Sequence, residues 1–529
     1  MQVKDIPIES VLSFSKRDKN YLLDAQQFND FLAYPFEYSE FKRVIENRKK
    51  NPVDRDLLHS VILEQYKNLE SSSQTQNHIQ NIKSDDCYTI ATAHQPSLMT
   101  GPLYYVYKIL STIKLCQKLS KDYPTQKFAP VFVIGGEDHD FEEINHLYLF
   151  NKKIEWKSQN KGPVGRIPIL GIQEIIQEVK EILGPQSKAA DLLAILASKA
   201  NNCETYGEFA FQLTHTLFDH LGLVILRMDS KSLKSAFIPI IKDEIFNGVS
   251  KPLVEREQER LESLGYKNQA YARDINFFYL NESGRNRIEK TGNKFTVIDT
   301  DISFSKEEIE NEIDNHPYRF SPNVVMRPLY QELILPNLAY IGGGGELAYW
   351  MERKTQFEHF NIPFPMLIRR NSAMIVSRQQ EVQLEKLGFT IEDIFNDELM
   401  LIQSFIDNSD NPDFSLEVSQ KNLEDIYKEV EKITKSIDST LVKTVQSELA
   451  KSKKSLDYLE SKMKKSVKQK EEVQLNRIKK LKQKLFPNGL QERHDNIFEY
   501  LSKYGQSLID DMLDHCDPFD KKFKVFVKD

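Results

Sequence analysis

The chain has 529 residues, 40% of them hydrophobic and 28% charged, with a net charge of -7. That length exceeds one ordinary core; at roughly 150 residues per domain it predicts about three. The negative balance argues against a dedicated nucleic-acid binder, which needs a basic face to neutralise phosphates, though a local basic stripe stays open.

The N-terminal stretch MQVKDIPIESVLSF lacks the basic start and unbroken apolar core of a signal peptide. No apolar run approaches the ~20 residues needed to cross a bilayer, and the best candidates, such as 128–134, suit buried strands. Cys87, Cys116, Cys203 and Cys516 are scattered without CxxC or metal-ligand spacing. Reduced, mostly buried thiols in a cytoplasmic protein are therefore expected.

In chain order, residues 1–84 read as helical and polar, closing in a loop at 71–76. Residues 87–93 form the first clear strand. After Gly101-Pro102, apolar Val106, Ile109, Leu110, Ile113 and Leu115 recur at helical spacing. A second apolar strand, 130–134, ends at Gly135-Gly136. Strand, helix, strand in that order is a βαβ unit with parallel strands, and such sheets bind ligands at the strands' carboxyl ends. Next come a strand at 223–228, a long helical region at 231–264 and short strands joined by turns at 276–298. This stretch reads as an insertion. Further strand and turn signals span 324–371. From 414 to 486 there is neither Gly nor Pro, and Leu423, Ile426, Val430, Ile433 and Ile437 follow the 3,4 spacing of a coiled-coil seam. Leu456, Leu459 and Met463 resume it after an irregular patch at 441–449, which is either a stutter or a turn between antiparallel helices. Pro487-Asn488-Gly489 stops the helix, and 490–508 predicts one more amphipathic helix.

Three clusters carry candidate chemistry. The first, HQPSLMTGPLYYVYK, places His94, Gln95, Ser97 and Thr100 on a loop entering a helix. Free N–H groups there favour an anion, and an ordinary capped turn is an equal alternative. Neither a Walker A loop nor GxGxxG is present. The second is GGEDHDFEEINH. Its Glu137, Asp138, Asp140 and Glu143 suit an ammonium group or a divalent ion, and His139 a proton shuttle. His139 and His146 lack the i, i+4 spacing of a zinc helix, so no metal ligands are assigned. The third runs from Met326 to Trp350, with four consecutive glycines that allow close backbone approach to a ligand. Arg327, Arg369 and Arg370 offer planar donors for carboxylates. A KMKKS stretch from Lys462 to Ser466 lies inside the long helix and is set aside as chance.

Taken together, HQPSLMTGPLYYVYK, GGEDHDFEEINH, RPLYQELILPNLAYIGGGGELAYW and LFPNGLQER resemble the bacillithiol-biosynthesis cysteine-adding enzymes. The resemblance is ordered and runs from about Ile90 to the C-terminal end. It implies an α/β fold: a Rossmann-like parallel-sheet core, inserted connecting segments and a long coiled-coil domain that makes a homodimer. It further implies the last step of bacillithiol synthesis, in which cysteine joins glucosaminyl-malate through an amide bond. The expected organisation is an N-terminal helical region (1–84), a catalytic core (85–400) with an insertion around 150–320, a coiled-coil arm (401–487) and a C-terminal helical segment (488–529).

An amide does not form from a free carboxylate without energy input, so ATP with Mg2+ is expected. His139, Asp138 and His94 are the expected catalytic residues, with His139 as base for the glucosamine amine. His94 stands where the family more usually has Gln. Substrate contacts are expected from Gln95, Ser97, Thr100, Tyr104, Lys108, Glu137, Asp140, Asn145, His146, Arg327, Gln331, Glu346, Tyr349, Arg369 and Arg370, the three arginines clamping malate carboxylates. Cofactor contacts are expected from Gly101, Gly342, Gly343, Gly344 and Gly345. Two other classes remain as alternatives: an RNA-binding synthetase-like protein gripping tRNA with its Lys-rich arm, and a non-catalytic coiled-coil scaffold. No membrane or nucleic-acid partner is expected.

Overall fold

Five apolar strands build the central sheet, and every pairing in it is parallel. Across the sheet they run Met366–Arg369, Asn337–Gly342, Cys87–His94, Lys127–Ile134 and Val224–Arg227. The computed structural model describes residues 1–158, 160, 162–282, 284–408 and 415–529. Strand Cys87–His94 is buried along all but its last residue, as a sheet covered on both faces requires. Pro130 fits mid-strand because the Val224–Arg227 strand begins pairing only at Val131, so no ladder bond is lost. Helix Tyr104–Asp122 makes the first crossover and buries Val106, Ile109, Leu110, Ile113 and Leu115.

The chain fills one side of Cys87–His94 with the next two strands, then returns to its other side with Asn337–Gly342. This reversal opens a crevice at the carboxyl ends, where His94 and Gly342 terminate neighbouring strands. Val224–Arg227, expected within an insertion around 150–320, is instead a core strand, and between it and Asn337–Gly342 lies a shorter insertion. Its helical region is three helices, Lys231–Ser235, Ile238–Asn247 and Ser250–Ser263. Gly248 at φ +62° breaks the second from the third. A five-stranded antiparallel sheet follows in the order Ser303–Phe304, Lys294–Val297, Gly284–Thr291, Phe277–Asn281, Phe320–Pro322.

Three local expectations are corrected. The first 84 residues are not wholly helical: strand Gln2–Pro7 precedes helices Lys16–Leu23, Phe41–Lys49, Arg55–Tyr66 and Ser73–Ile82. It pairs antiparallel with Lys522–Lys528, so the C-terminal segment is not wholly helical either. The two strands pair with each other from opposite ends of the chain, with no turn between them to mark a hairpin. The single helix expected at 490–508 is a 3-10 turn, Gln491–Arg493, followed by helices Ile497–Tyr504 and Ser507–Asp514. Gly505 at φ +75° separates those helices. All four cysteines are free and buried.

The chain divides into two compact units, 1–375 with 487–528, and Val376–Phe486. The second therefore opens ahead of the arm boundary expected at 401. It holds Arg378–Lys386, Glu398–Asp407, Glu417–Ile437, Val442–Lys470 and Glu472–Leu485. The first residue of the expected Gly- and Pro-free run, Phe414, like the rest of 409–414, lies outside the described residues. Of the two readings offered for the irregular patch, the turn is observed. A 3-10 turn, Ser439–Leu441, reverses the chain, and Gln420 meets Asp457 while Tyr427 meets Ser452, as antiparallel helices must. That contact face is mixed and polar. Ile426, Val430, Ile433 and Ile437 point away from it, 41–77% exposed. Among the described residues no helix is long and apolar enough to cross a membrane.

Candidate active site

A cavity of about 1080 Å3 opens at the crevice and draws its wall from all three clusters. From the first come His94, Gln95, Ser97, Tyr104 and Lys108. From the second come Glu137, Asp138, His139, Glu143 and His146. From the third come Arg327, Gly343, Gly344, Gly345, Glu346, Tyr349, Arg369 and Arg370. Strand ends converge there because the reversal of strand order leaves that edge of the sheet uncovered.

Six expected contacts are not on this wall. Thr100 and Gly101 form a left-handed turn with Met99, and Asn496 Nδ2 pins it by donating to the Met99 and Gly101 carbonyls at 2.7 and 2.8 Å. These residues shape the loop instead of lining the cavity. Asp140 is exposed ahead of the short helix Phe141–Ile144. Asn145 is buried, its carbonyl taking the Trp156 N–H and its side chain meeting His146. Gln331 is buried between Arg327 and Glu332. Gly342 packs beneath Tyr340 and Leu347. Each lies in a segment that reaches the cavity, but side-chain direction, or for the two glycines the backbone's packing, keeps it off the wall.

Four ion pairs within the chain hold charges on the wall. Arg369 clasps Asp18 at 2.7 and 3.1 Å, and Arg370 clasps Glu492 at 2.9 and 2.8 Å, all four groups being buried. The pair expected to clamp a ligand's carboxylates is thus committed to carboxylates of this chain. Lys234 Nζ lies 2.6 Å from Glu137, which withdraws that acid from ligand binding. Lys108 Nζ lies 2.6 Å from Glu346 and 2.7 Å from the Ala93 carbonyl. Burial pushes the Glu346 carboxyl upward, yet Lys108, the Gly343 N–H and Tyr340 together hold it at about 2.

Arg327 is different. It opens helix Arg327–Ile334, is half-buried at the cavity wall, and bonds to the neutral side chains of Gln331 and Tyr349. Among the described residues no carboxylate lies within ion-pair distance of it. The glycine run divides in the same way. A Cβ on Gly344 would sit 2.5 Å from Asp18 Cγ, so this glycine admits the Asp18–Arg369 pair, whereas a Cβ on Gly345 would meet open space. Gly136, after the second core strand, has a packing reason too: a Cβ there would come 3.1 Å from the Gly165 Cα.

The two histidines differ in tautomer. His94 Nδ1 is 3.0 Å from the Gln95 carbonyl, which only accepts, so Nδ1 carries the proton and Nε2 presents a lone pair. Burial, reinforced by Lys108, pulls its pKa down to about 4 and keeps the ring neutral. His139 Nδ1 instead receives Arg285 Nη1 at 3.1 Å, a geometry that speaks against His139 as the base. Asp138 accepts Gln95 Nε2 at 2.7 Å and its neighbour's backbone N–H at 2.8 Å.

Sequence reading missed several wall residues, among them Arg285 and Phe278 of the inserted sheet, Tyr148, Arg493 and His494. Arg493 lies within the LFPNGLQER motif, which was a signal. Gln491 of the same motif bonds both ways with Ile375, so the motif ties the returning C-terminal segment to strand Ser372–Ser377. Arg285 had no signal, because the insertion brings it in from 147 residues away.

Comparison with known proteins gives a family. A family model described as the N-terminal Rossmann-like domain of bacillithiol biosynthesis BshC matches residues 1–371. A second, for the C-terminal coiled-coil domain of the same family, matches residues 373–527. Curated relatives carry the printed name "Putative cysteine ligase BshC". The one from Cytophaga hutchinsonii is 35% identical over 98% of this chain and 97% of its own length. That from Christiangramia forsetii is 37% identical over 96% and 95%, and that from Bacillus cereus AH187 28% identical over 99% of each.

Proposed function

We propose, from the premise that this chain belongs to the BshC family of bacillithiol biosynthesis, that it is a cysteine ligase joining L-cysteine to glucosaminyl-malate by an amide bond. The observation that carries the reading is one cavity assembled from the three motif clusters, with an anion-seeking group and acids on its wall. Full-length likeness to relatives named as ligases favours this reading over an RNA binder or a scaffold. The absence of a spanning helix among the described residues is consistent with a cytoplasmic reaction.

Arg327 takes a malate carboxylate, since a half-buried guanidinium with no carboxylate at ion-pair distance favours such a ligand. Asp138 and Glu143 hold the cysteine ammonium. His94 accepts the proton lost by the attacking glucosamine amine through Nε2; an anionic acyl donor seated beside it raises its proton affinity. ATP, when bound, supplies the activation of the cysteine carboxyl. The residues fit a phosphate group at Gly345, where the first turn of helix Gly344–Met351 has open space beside its backbone. Among the described residues no three His, Cys, Asp or Glu side chains form a metal cage. Mg2+ would then bind through phosphates with one or two carboxylates, its usual mode. The exposed Ile426, Val430, Ile433 and Ile437 stripe supports a homodimer through the helical arm.

Purified protein given cysteine, glucosaminyl-malate and ATP is expected to form bacillithiol, read by thiol labelling and mass spectrometry. Arg327→Met removes a charged contact worth about 1.5–3 kcal/mol, so KM for glucosaminyl-malate rises roughly 10- to 100-fold. Absence of product, or an unchanged KM in the variant, rejects the ligase reading or the Arg327 assignment respectively.

A further inference from the structure

Arg285 lies on strand Gly284–Thr291 of the inserted sheet, yet its side chain is only 6% exposed and reaches the acidic loop after the second core strand. Two of its nitrogens are anchored first: Nε donates to Ser321 Oγ at 3.0 Å and Nη2 to the Pro322 carbonyl at 2.9 Å. The guanidinium carbon sits 3.9 Å from the Phe278 ring centre, and the His139 ring packs on the same phenyl at 5.6 Å. Held this way, Nη1 is aimed between His139 Nδ1 at 3.1 Å and Asp138 Oδ1 at 3.3 Å.

A guanidinium has donors only and stays protonated. His139 Nδ1 must therefore accept, which leaves the proton of the neutral ring on Nε2. We propose that Arg285 is a positioning residue that fixes His139 as the Nε2–H tautomer, so that His139 donates a hydrogen bond to a substrate oxygen instead of acting as a base. Burial and the Arg285 charge favour the neutral ring, while Asp138 and Asp140 oppose them. His94, with its lone pair on Nε2, has the complementary tautomer. The recipient of the His139 hydrogen bond is the acyl oxygen on which negative charge gathers as the amine adds. This donor role rests on the ligase reading above; the tautomer does not.

The test uses the full-length protein carrying 15N-labelled histidine. Long-range 1H–15N spectra report each ring nitrogen, and the His139 signals are those that vanish in His139→Gln. The expected spectrum has Nδ1 bare and Nε2 protonated. Arg285→Met should give mixed tautomers and a ring that protonates at higher pH, and Arg285→Lys should restore the Nε2–H form. A protonated Nδ1 in the unaltered protein, or spectra indifferent to Arg285→Met, overturns the proposal. Activity then separates donor from base. Glutamine donates but cannot take up a proton, so His139→Gln should stay within about tenfold of the unaltered enzyme while His139→Ala falls about 100- to 1000-fold. Equal collapse of both variants overturns the donor role and leaves the tautomer standing. No turnover by the unaltered enzyme overturns the ligase reading, again without touching the spectra.

Discussion

Taking a charge out of water costs several kcal/mol unless a partner offsets it. That cost decides which cavity charges remain available to a ligand. Asp18, Glu492, Glu346 and Glu137 each meet a buried cation at 2.6 to 2.9 Å. Arg327 hydrogen-bonds only to neutral side chains, with the Glu346 charge acting on it from beyond ion-pair distance. The partners of Arg369 and Arg370 lie 351 and 122 residues away in sequence, so a reading of the local motif sees two free arginines. Gly344 follows from the same pairing. Gly344→Ala forces a methyl into the Asp18 carboxylate and is expected to lose about 1–3 kcal/mol as overpacking, or about 3–5 kcal/mol if the ion pair breaks. Gly345→Ala, with open space, should stay within about 0.5 kcal/mol. Urea midpoints of the two variants check this, and equal midpoints would show that Asp18 yields easily.

At the scale of elements, the same periodic signal has two possible uses. The 3,4 spacing of Leu423 to Ile437 was legible as helix, and the helix Glu417–Ile437 is observed. Spacing does not say what covers the stripe. The neighbouring helix Val442–Lys470 meets Gln420, Glu424 and Tyr427, leaving Ile426 at 58%, Ile433 at 62% and Ile437 at 77% exposure. The unaltered protein is expected to sediment as a dimer and a double Ile426→Lys, Ile433→Lys variant as a monomer. Its thermal midpoint at low protein concentration should match the unaltered chain's, because neither side chain is packed within the protomer. A variant that still sediments as a dimer would place the contact elsewhere.

Over the whole molecule, the two ends of the chain close the larger unit. Lys522–Lys528 lies between Gln2–Pro7 and Ser372–Ser377 in a three-stranded sheet, and Glu492 and Asn496 hold the Arg370 and Met99–Gly101 segments of the cavity. Removing residues 522–529 deletes the middle strand and exposes both neighbours' edges. Circular dichroism and thermal unfolding should show a marked loss of stability, accompanied by aggregation. An unchanged melting curve would mean that this sheet contributes little.

The sequence by itself determined the parallel core, the insertion, the helical arm and the segments that meet in the cavity. These rest on local periodicity, strand-ending glycines and motif order, all of which a linear chain displays. Only the tertiary structure decided that Arg327 lacks the ion-pair partners that Arg369 and Arg370 have, that Arg285 faces His139, that Thr100 and Gln331 turn away and that the chain ends pair. Those outcomes depend on side-chain direction or on partners over a hundred residues distant, and neither is written in local pattern.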